Sequence, residues 1–505
     1  MTPGRGSTPG EPFATVDTAW LRMDTPTNLM MINGFFEMTG RLDMKRLRHN
    51  FETRLLRFPR FRQLAVEQSL FRQPRWEYDP EFDLDNHMEE ISLPRRGAER
   101  AFRTLLDDLA TTPLDRSRPL WRATVVTGYR GGTAIIWNIH HAVGDGIAMM
   151  RVLLSVCDTF PNPPATRAAA GGRSTGSPSI ASYLRPAART VAGARKFTSK
   201  LMHSGIDVLR SPASILEYTD TGTAYAKALT HLTVMPPDPP TLLKGELSSR
   251  KRTTWADRIR LVDVKHVAKA TDSTVNDVLI SAVAGGLGRY LRLRGEDIDE
   301  VHIRAMIPVN VRSTDVSPGL GNEFGLVLPK LEVGCHDPVE RLRAVKHEMD
   351  AIKASPQAAV SFAILQTIGS TASDVQRLIV NFFGTKTSLV MTNVPGPTVR
   401  LYLAGMALRR MMFWVPQSAG LGLGVSIFSY AGEVDIGVVS DERIIPDPDT
   451  VVALFLDEFA ELAVGAGLAV EVDDGLVPRR CRALTRDGRR CRRRAHPETR
   501  CSTHR

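Results

Sequence analysis

The chain has 505 residues, 43% hydrophobic and 24% charged, which excludes a disordered or fibrous protein and supplies material for about two to four domains. Its net charge of +10 hints at a polyanion-binding surface. Residues 478–505, however, hold eleven Arg against two acids, so nine of the ten net charges sit in one terminal segment and a polyanion-binding groove across the main fold is not indicated.

Residues 1–12 are rich in Gly, Pro, Ser and Thr and read as a mobile lead-in without the apolar core of a secretory leader. Residues 16–21 predict a short helix or turn and 30–36 a strand. Asp43 is placed to cap a helix over 44–57, with Leu47, Phe51 and Leu55 recurring on one face. A strand follows at 76–78 and a helix over 98–109. The strand 123–129, the Arg130-Gly131-Gly132 turn and the apolar run 134–139 form a hairpin that ends in His140 and His141. Ala142-Val143-Gly144 and Asp145-Gly146 then lead into a helical segment, 147–160. This alternation points to an α/β or α+β layered domain over 1–165.

Residues 166–250 form a linker and helical connection. Its first half is low in complexity, and 183–229 is weakly amphipathic, compatible with covering a core or lying on a membrane surface. A second domain spans 251–476: a strand near 255–262, a helix 263–270, a long apolar helix 278–293 opened by Asn276-Asp277, and a strand 301–307. Helices over 337–380, a strand 388–392, a hairpin 424–439 and a helix 447–465 complete it. No apolar run reaches the roughly 18 residues of a membrane span. Cysteine is too scarce for a disulfide framework, and the expected compartment is the cytoplasm.

Two adjacent histidines at a strand end are compatible with a structural hydrogen-bonded pair or with chemistry. Neighbouring side chains on a strand point to opposite faces, so one histidine is expected to be buried and the other to face a cleft. A neutral imidazole near pH 7 suits a general base. Asp145, across the turn, is placed to pair with Arg or to orient backbone, and Gly146 removes bulk where a partner approaches.

His140-His141-x-x-x-Asp145-Gly146 after an apolar strand resembles the active-site motif of the coenzyme A-dependent acyltransferase superfamily. Further blocks stand in the order seen in bacterial wax ester synthase/diacylglycerol acyltransferases: Pro119-Leu120-Trp121, Asn276-Asp277, Pro308-Val309-Asn310-Val311-Arg312, Gly321-Asn322 and Thr392-Asn393-Val394-Pro395-Gly396-Pro397. Asp17 to Trp20 and Phe58-Pro59-Arg60-Phe61-Arg62 are also similar to that family. Asn310 departs from it, since Ser is more usual there. The resemblance covers residues 12–470. It implies two chloramphenicol-acetyltransferase-like domains with a channel between them, and His141 as general base. His140 and Asp145 would hold the loop, and Asn276 and Asp277 would serve the substrate. Acyl-coenzyme A would be a substrate, with no catalytic cofactor. The acceptor would be diacylglycerol, a long-chain alcohol or both, met peripherally at the inner membrane face or on lipid droplets. Two other readings stay open: an acyltransferase for a different alcohol or amine, and a non-catalytic protein that binds a lipid surface or nucleic acid through its basic tail.

The tail, 477–505, is separate. Cys481, Cys491, Cys501 and His504 offer three thiolates and an imidazole, a set suited to tetrahedral Zn²⁺ in a segment too short for a hydrophobic core.

Overall fold

The hairpin that delivers the histidines forms for a local reason. Arg130 and Gly131 both adopt positive φ, 48° and 76°, so the two-residue loop has the mirror-image turn geometry whose twist matches that of paired strands. Around it the strands Trp121–Tyr129 and Gly132–His140 pair antiparallel. Every residue of Gly132–His140 is buried, because both faces of this strand are covered. Ile135, Trp137 and Ile139 enter one core, while Ala134 and Ile136 enter another with Phe35, Phe102 and Trp414.

The computed structural model describes residues 10–69, 72–162, 220–311, 321–369 and 380–468, and only the backbone of 220–226 and 366–369. Two large sheets organise it. The six strands of the first run in the spatial order Tyr402–Leu403, Met406–Trp414, Met31–Met38, Gly132–His140, Trp121–Tyr129, Met88–Ser92. The main path of the second is Phe324–Val327, Ile303–Asn310, Leu389–Pro395, Leu423–Tyr430, Glu433–Asp441, Lys251–Trp255. Ile303–Asn310, Leu389–Pro395 and Leu423–Tyr430 are parallel neighbours, and the helices Val275–Leu293 and Pro448–Gly465 contribute to the core beside them. The mixed sheet-and-helix architecture is the one expected.

Residues 402–414 were not expected to form strands, and they cross the division drawn at 251. They leave the second half and complete the first sheet, Met412 pairing with Phe35 and Trp414 with Asn33. The physical reason is the edge: without them Met31–Met38 would leave a row of backbone groups unpaired. Other shifts are small. The helix begun by Asp43 ends at Thr53 and continues as a single 3-10 turn, and the helix after the histidines stops at Ser155. Among the described residues no helix is long and apolar enough to cross a membrane.

Gly34 shows how tightly the crossing strand seats. A Cβ there would stand 2.6 Å from the Met412 carbonyl oxygen and 2.2 Å from a carbon of the Phe413 ring. Alanine would recover about 0.5–1 kcal/mol of glycine's conformational cost, less than the roughly 1–3 kcal/mol of overpacking a fixed backbone oxygen. Gly34→Ala is therefore expected to lower the midpoint of denaturant unfolding, and an unchanged or raised midpoint would show that the seam relaxes freely.

Candidate active site

His140 is the last residue of its strand and His141 the first of a 3-10 turn, His141–Val143. Strand alternation therefore does not reach the second histidine, and both rings are buried rather than one. They still face different partners. His140 Nδ1 accepts from the Ala142 amide at 3.1 Å, and its Nε2 lies 3.7 Å from Asp24 Oδ2. Asp24 also accepts from the Met30 amide and from Arg116. Burial opposes the Asp24 charge, but His140, Met30 and Arg116 outweigh it and hold the carboxyl below its ordinary range. His140 thus closes a polar cluster beneath the turn.

His141 lies under aromatic rings. Trp20, on the helix Thr15–Met23, stacks on the imidazole at 4.3 Å between centroids, and Phe324 meets it edge-on at 6.0 Å. Only 7% of the residue is exposed. Burial pulls its pKa down to about 4; Asp145 opposes this and His140 adds to it. The imidazole is consequently neutral at pH 7, able to accept a proton though a weaker base than a solvated ring, and its Nδ1 is buried with no hydrogen-bond partner among the described residues.

The turn is fastened from both halves of the chain. The His141 amide donates to the Met30 carbonyl, and its own carbonyl accepts from Asn322 Nδ2 at 2.9 Å. Asn322 Nδ2 also donates to Asp17 Oδ1 at 2.7 Å, as does the Asn322 amide at 3.1 Å. Asp145 orients backbone: one carboxylate oxygen caps the helix Gly146–Ser155 through the Ala148 amide, the other accepts from the Glu323 amide at 3.1 Å. Gly146 has open space beside it, since an added Cβ would find no atom within 4 Å; the crowded glycine is Gly144, against Met149 and Ala148.

Asn276 and Asp277 begin the helix Val275–Leu293. Asp277 is fully buried and takes part in a capping box, exchanging hydrogen bonds with Thr274. Asn276 Oδ1 accepts from Asn393 Nδ2 at 2.9 Å, which ties the helix start to the end of the strand Leu389–Pro395. Cys481, Cys491, Cys501 and His504 lie outside the described residues, and among the described residues no group of three or more His, Cys, Asp or Glu is arranged to hold a metal. Sequence reasoning assigned no role to Asp17, Trp20, Asn322 or Phe324. The first three stood within conspicuous short blocks; Phe324 carried no signal beyond its place in an apolar run.

Residues 13–279 match the wax ester synthase/diacylglycerol acyltransferase catalytic domain, and 320–463 match the C-terminal domain of the same group. A Mycobacterium tuberculosis protein named as a diacylglycerol O-acyltransferase is 29% identical over 455 residues, 86% of this chain and 87% of its own length. A second from that organism is 28% identical over 489 residues, 92% and 95% of the two chains. The wax ester synthase/diacylglycerol acyltransferase of Marinobacter aquaeolei VT8 is similar in fold, with a TM-score of 0.63 at 20% identity over 91% of this chain and all of that one. The first condensation domain of the calcium-dependent antibiotic synthetase reaches 0.57 at 15% identity, over 94% of this chain and all of its own.

The burial of His141 has a direct readout. Because its pKa is depressed from the ordinary 6.5 to about 4, the ring should stay neutral at pH 6 and gain its proton only as pH falls toward 4. Histidine ring NMR signals, assigned with His141→Asn, measure this; a midpoint near 6.5 would mean a solvated ring.

Proposed function

The chain belongs to the wax ester synthase/diacylglycerol acyltransferase family, and from that premise we propose that it moves a long-chain fatty acyl group from acyl-coenzyme A to diacylglycerol, to a long-chain alcohol, or to both. The observation that carries the reading is the neutral, buried His141 at the seam of the two halves, its backbone held by the Met30 carbonyl of one and the Asn322 side chain of the other. The imidazole takes the acceptor's hydroxyl proton while that oxygen attacks the thioester carbonyl carbon. The tetrahedral intermediate then expels the coenzyme A thiolate as the carbon–sulfur bond breaks, and the imidazolium returns the proton to sulfur. Atoms and charge balance without an acyl-enzyme, since donor and acceptor are held together. The space beside Gly146, one residue past the Asp145 cap, is available to a substrate.

The relatives named as diacylglycerol O-acyltransferases support the acceptor class. Diacylglycerol and long-chain alcohols reside in bilayers and droplets, so we place the protein peripherally, at the inner membrane face or on lipid droplets. The tail residues Cys481, Cys491, Cys501 and His504 remain a proposed structural Zn²⁺ site.

Two measurements test this. Thiol release from palmitoyl-coenzyme A should require dipalmitoylglycerol or hexadecanol and should fall about a thousandfold in folded His141→Ala. Release with neither acceptor but with an alternative alcohol or amine would move the protein to another acceptor class, and near-wild-type turnover in the variant would remove His141 as the base. For the tail, purified full-length protein is expected to carry about one zinc per chain, lost in Cys481→Ser/Cys491→Ser.

A further inference from the structure

Gly321, Asn322 and Glu323 come from the second half of the chain, yet between them they touch both ends of the histidine turn. Asn322 reaches the His141 carbonyl, while the Glu323 amide and the Gly321 carbonyl meet the two ends of Asp145, its carboxylate and its backbone N–H. The orientation of the Asn322 amide follows from chemistry. Both groups near its Nδ2, the Asp17 carboxylate and the His141 carbonyl, only accept, so the flipped amide would set oxygen against oxygen twice. Asp17 is 1% exposed. Burial pushes its carboxyl up to about 6, against the opposing pull of Asn322 and Arg60. A carboxylate this costly to bury is not needed merely to pack a helix; Asp17 and Trp20, three residues apart on the helix Thr15–Met23, meet the two sides of one arrangement.

We propose that Asn322 and Asp17 are positioning residues for His141: the Asn322 amide couples the docking of the second half to the setting of the histidine turn, so the base is aligned only when the halves are closed. This rests on the reading of His141 as general base. Asp17 holds the Asn322 side chain through two donors, its amide and its Nδ2, and the other Nδ2 hydrogen is thereby aimed at the His141 carbonyl. The Asn322 side chain also acts on the His141 ring itself, opposing the effect of burial. Loss of the contact lets the turn shift and the imidazole rotate away from the hydroxyl it must deprotonate, an effect on turnover rather than on acyl-coenzyme A binding.

The experiment compares wild type, Asn322→Ala and the swap Asp17→Asn/Asn322→Asp. The swap re-forms a carboxamide–carboxylate pair between the halves with its polarity reversed, but the new carboxylate has no hydrogen to give the His141 carbonyl. It stands instead against that carbonyl, so both variants should unfold at lower temperature than wild type, and kcat should stay at least about tenfold below wild type with KM for acyl-coenzyme A little changed. Recovery of kcat together with stability would overturn the proposal and leave only a structural role. Should the swap not fold, Val345→Ala in the second core, away from the turn, is the comparison of similar stability loss: an equal fall in kcat there would also overturn it. The His141 titration midpoint, read by NMR, needs no turnover. It should move away from its wild-type value in Asn322→Ala, because the Asn322 contact is one of the influences that oppose burial there, and an unmoved midpoint would refute the coupling even if the acyl-transfer reading held. Absence of acyl transfer in wild type with a shifted midpoint would refute the acyl-transfer reading alone.

Discussion

Burying one imidazole between two halves of a chain sets the terms for everything around it. A histidine in water is partly protonated near pH 7, whereas a desolvated one is neutral. The depression of His141 follows from Trp20 on one face, Phe324 at the edge and the turn itself behind. Those neighbours come from three distant stretches of sequence, so the base has its properties only in the assembled molecule. The polar groups that hold the turn are themselves buried and must be satisfied. This accounts for the chain of hydrogen bonds through Asn322, Asp17 and Asp145, and for the separate cluster of His140, Asp24 and Arg116.

That demand passes outward to the seam. The strand Met406–Trp414 pairs with Met31–Met38, and Met31 in turn lies opposite His140. Asp107 on the helix Ala98–Thr111 accepts from the Thr253 amide at 2.7 Å, locking that helix to the edge of the second sheet. Arg410 and Asp435 form a buried ion pair at 2.9 Å between a strand of each sheet. Burial pushes the Asp435 carboxyl up to about 7 even beside Arg410 and Arg258, so the cost of desolvation offsets much of what the pair contributes to stability. Breaking one partner would nevertheless leave a charge stranded.

Elements written in local patterns were legible from the chain alone. The Arg130-Gly131 turn, the 447–465 helix and the long apolar helix from Val275 each follow from neighbours within a few residues. The strand at 406–414 was not legible, although Met, Phe and Trp are plentiful there. Nothing in its own residues names Met31–Met38 as the partner. Asp17 and Asn322 were present in recognisable blocks but had no role, because the bond between them spans 305 positions. Asp277 is legible in a different way: one of its oxygens serves a capping box at the helix start, a local pattern with Thr274 three residues before it.

The sequence by itself determined the class of chemistry and the strand, turn and helix that carry it, because the His-His-x-x-x-Asp-Gly spacing and the hydrophobic periods are local properties of the chain. Only the tertiary structure decided that His141 stacks on Trp20 and is neutral, that Asp145 is a cap joined to Glu323, and that one asparagine from the second half meets both Asp17 and the turn. Desolvation and hydrogen-bond satisfaction depend on what surrounds a group in space, and most of what surrounds His141 lies far from it along the chain.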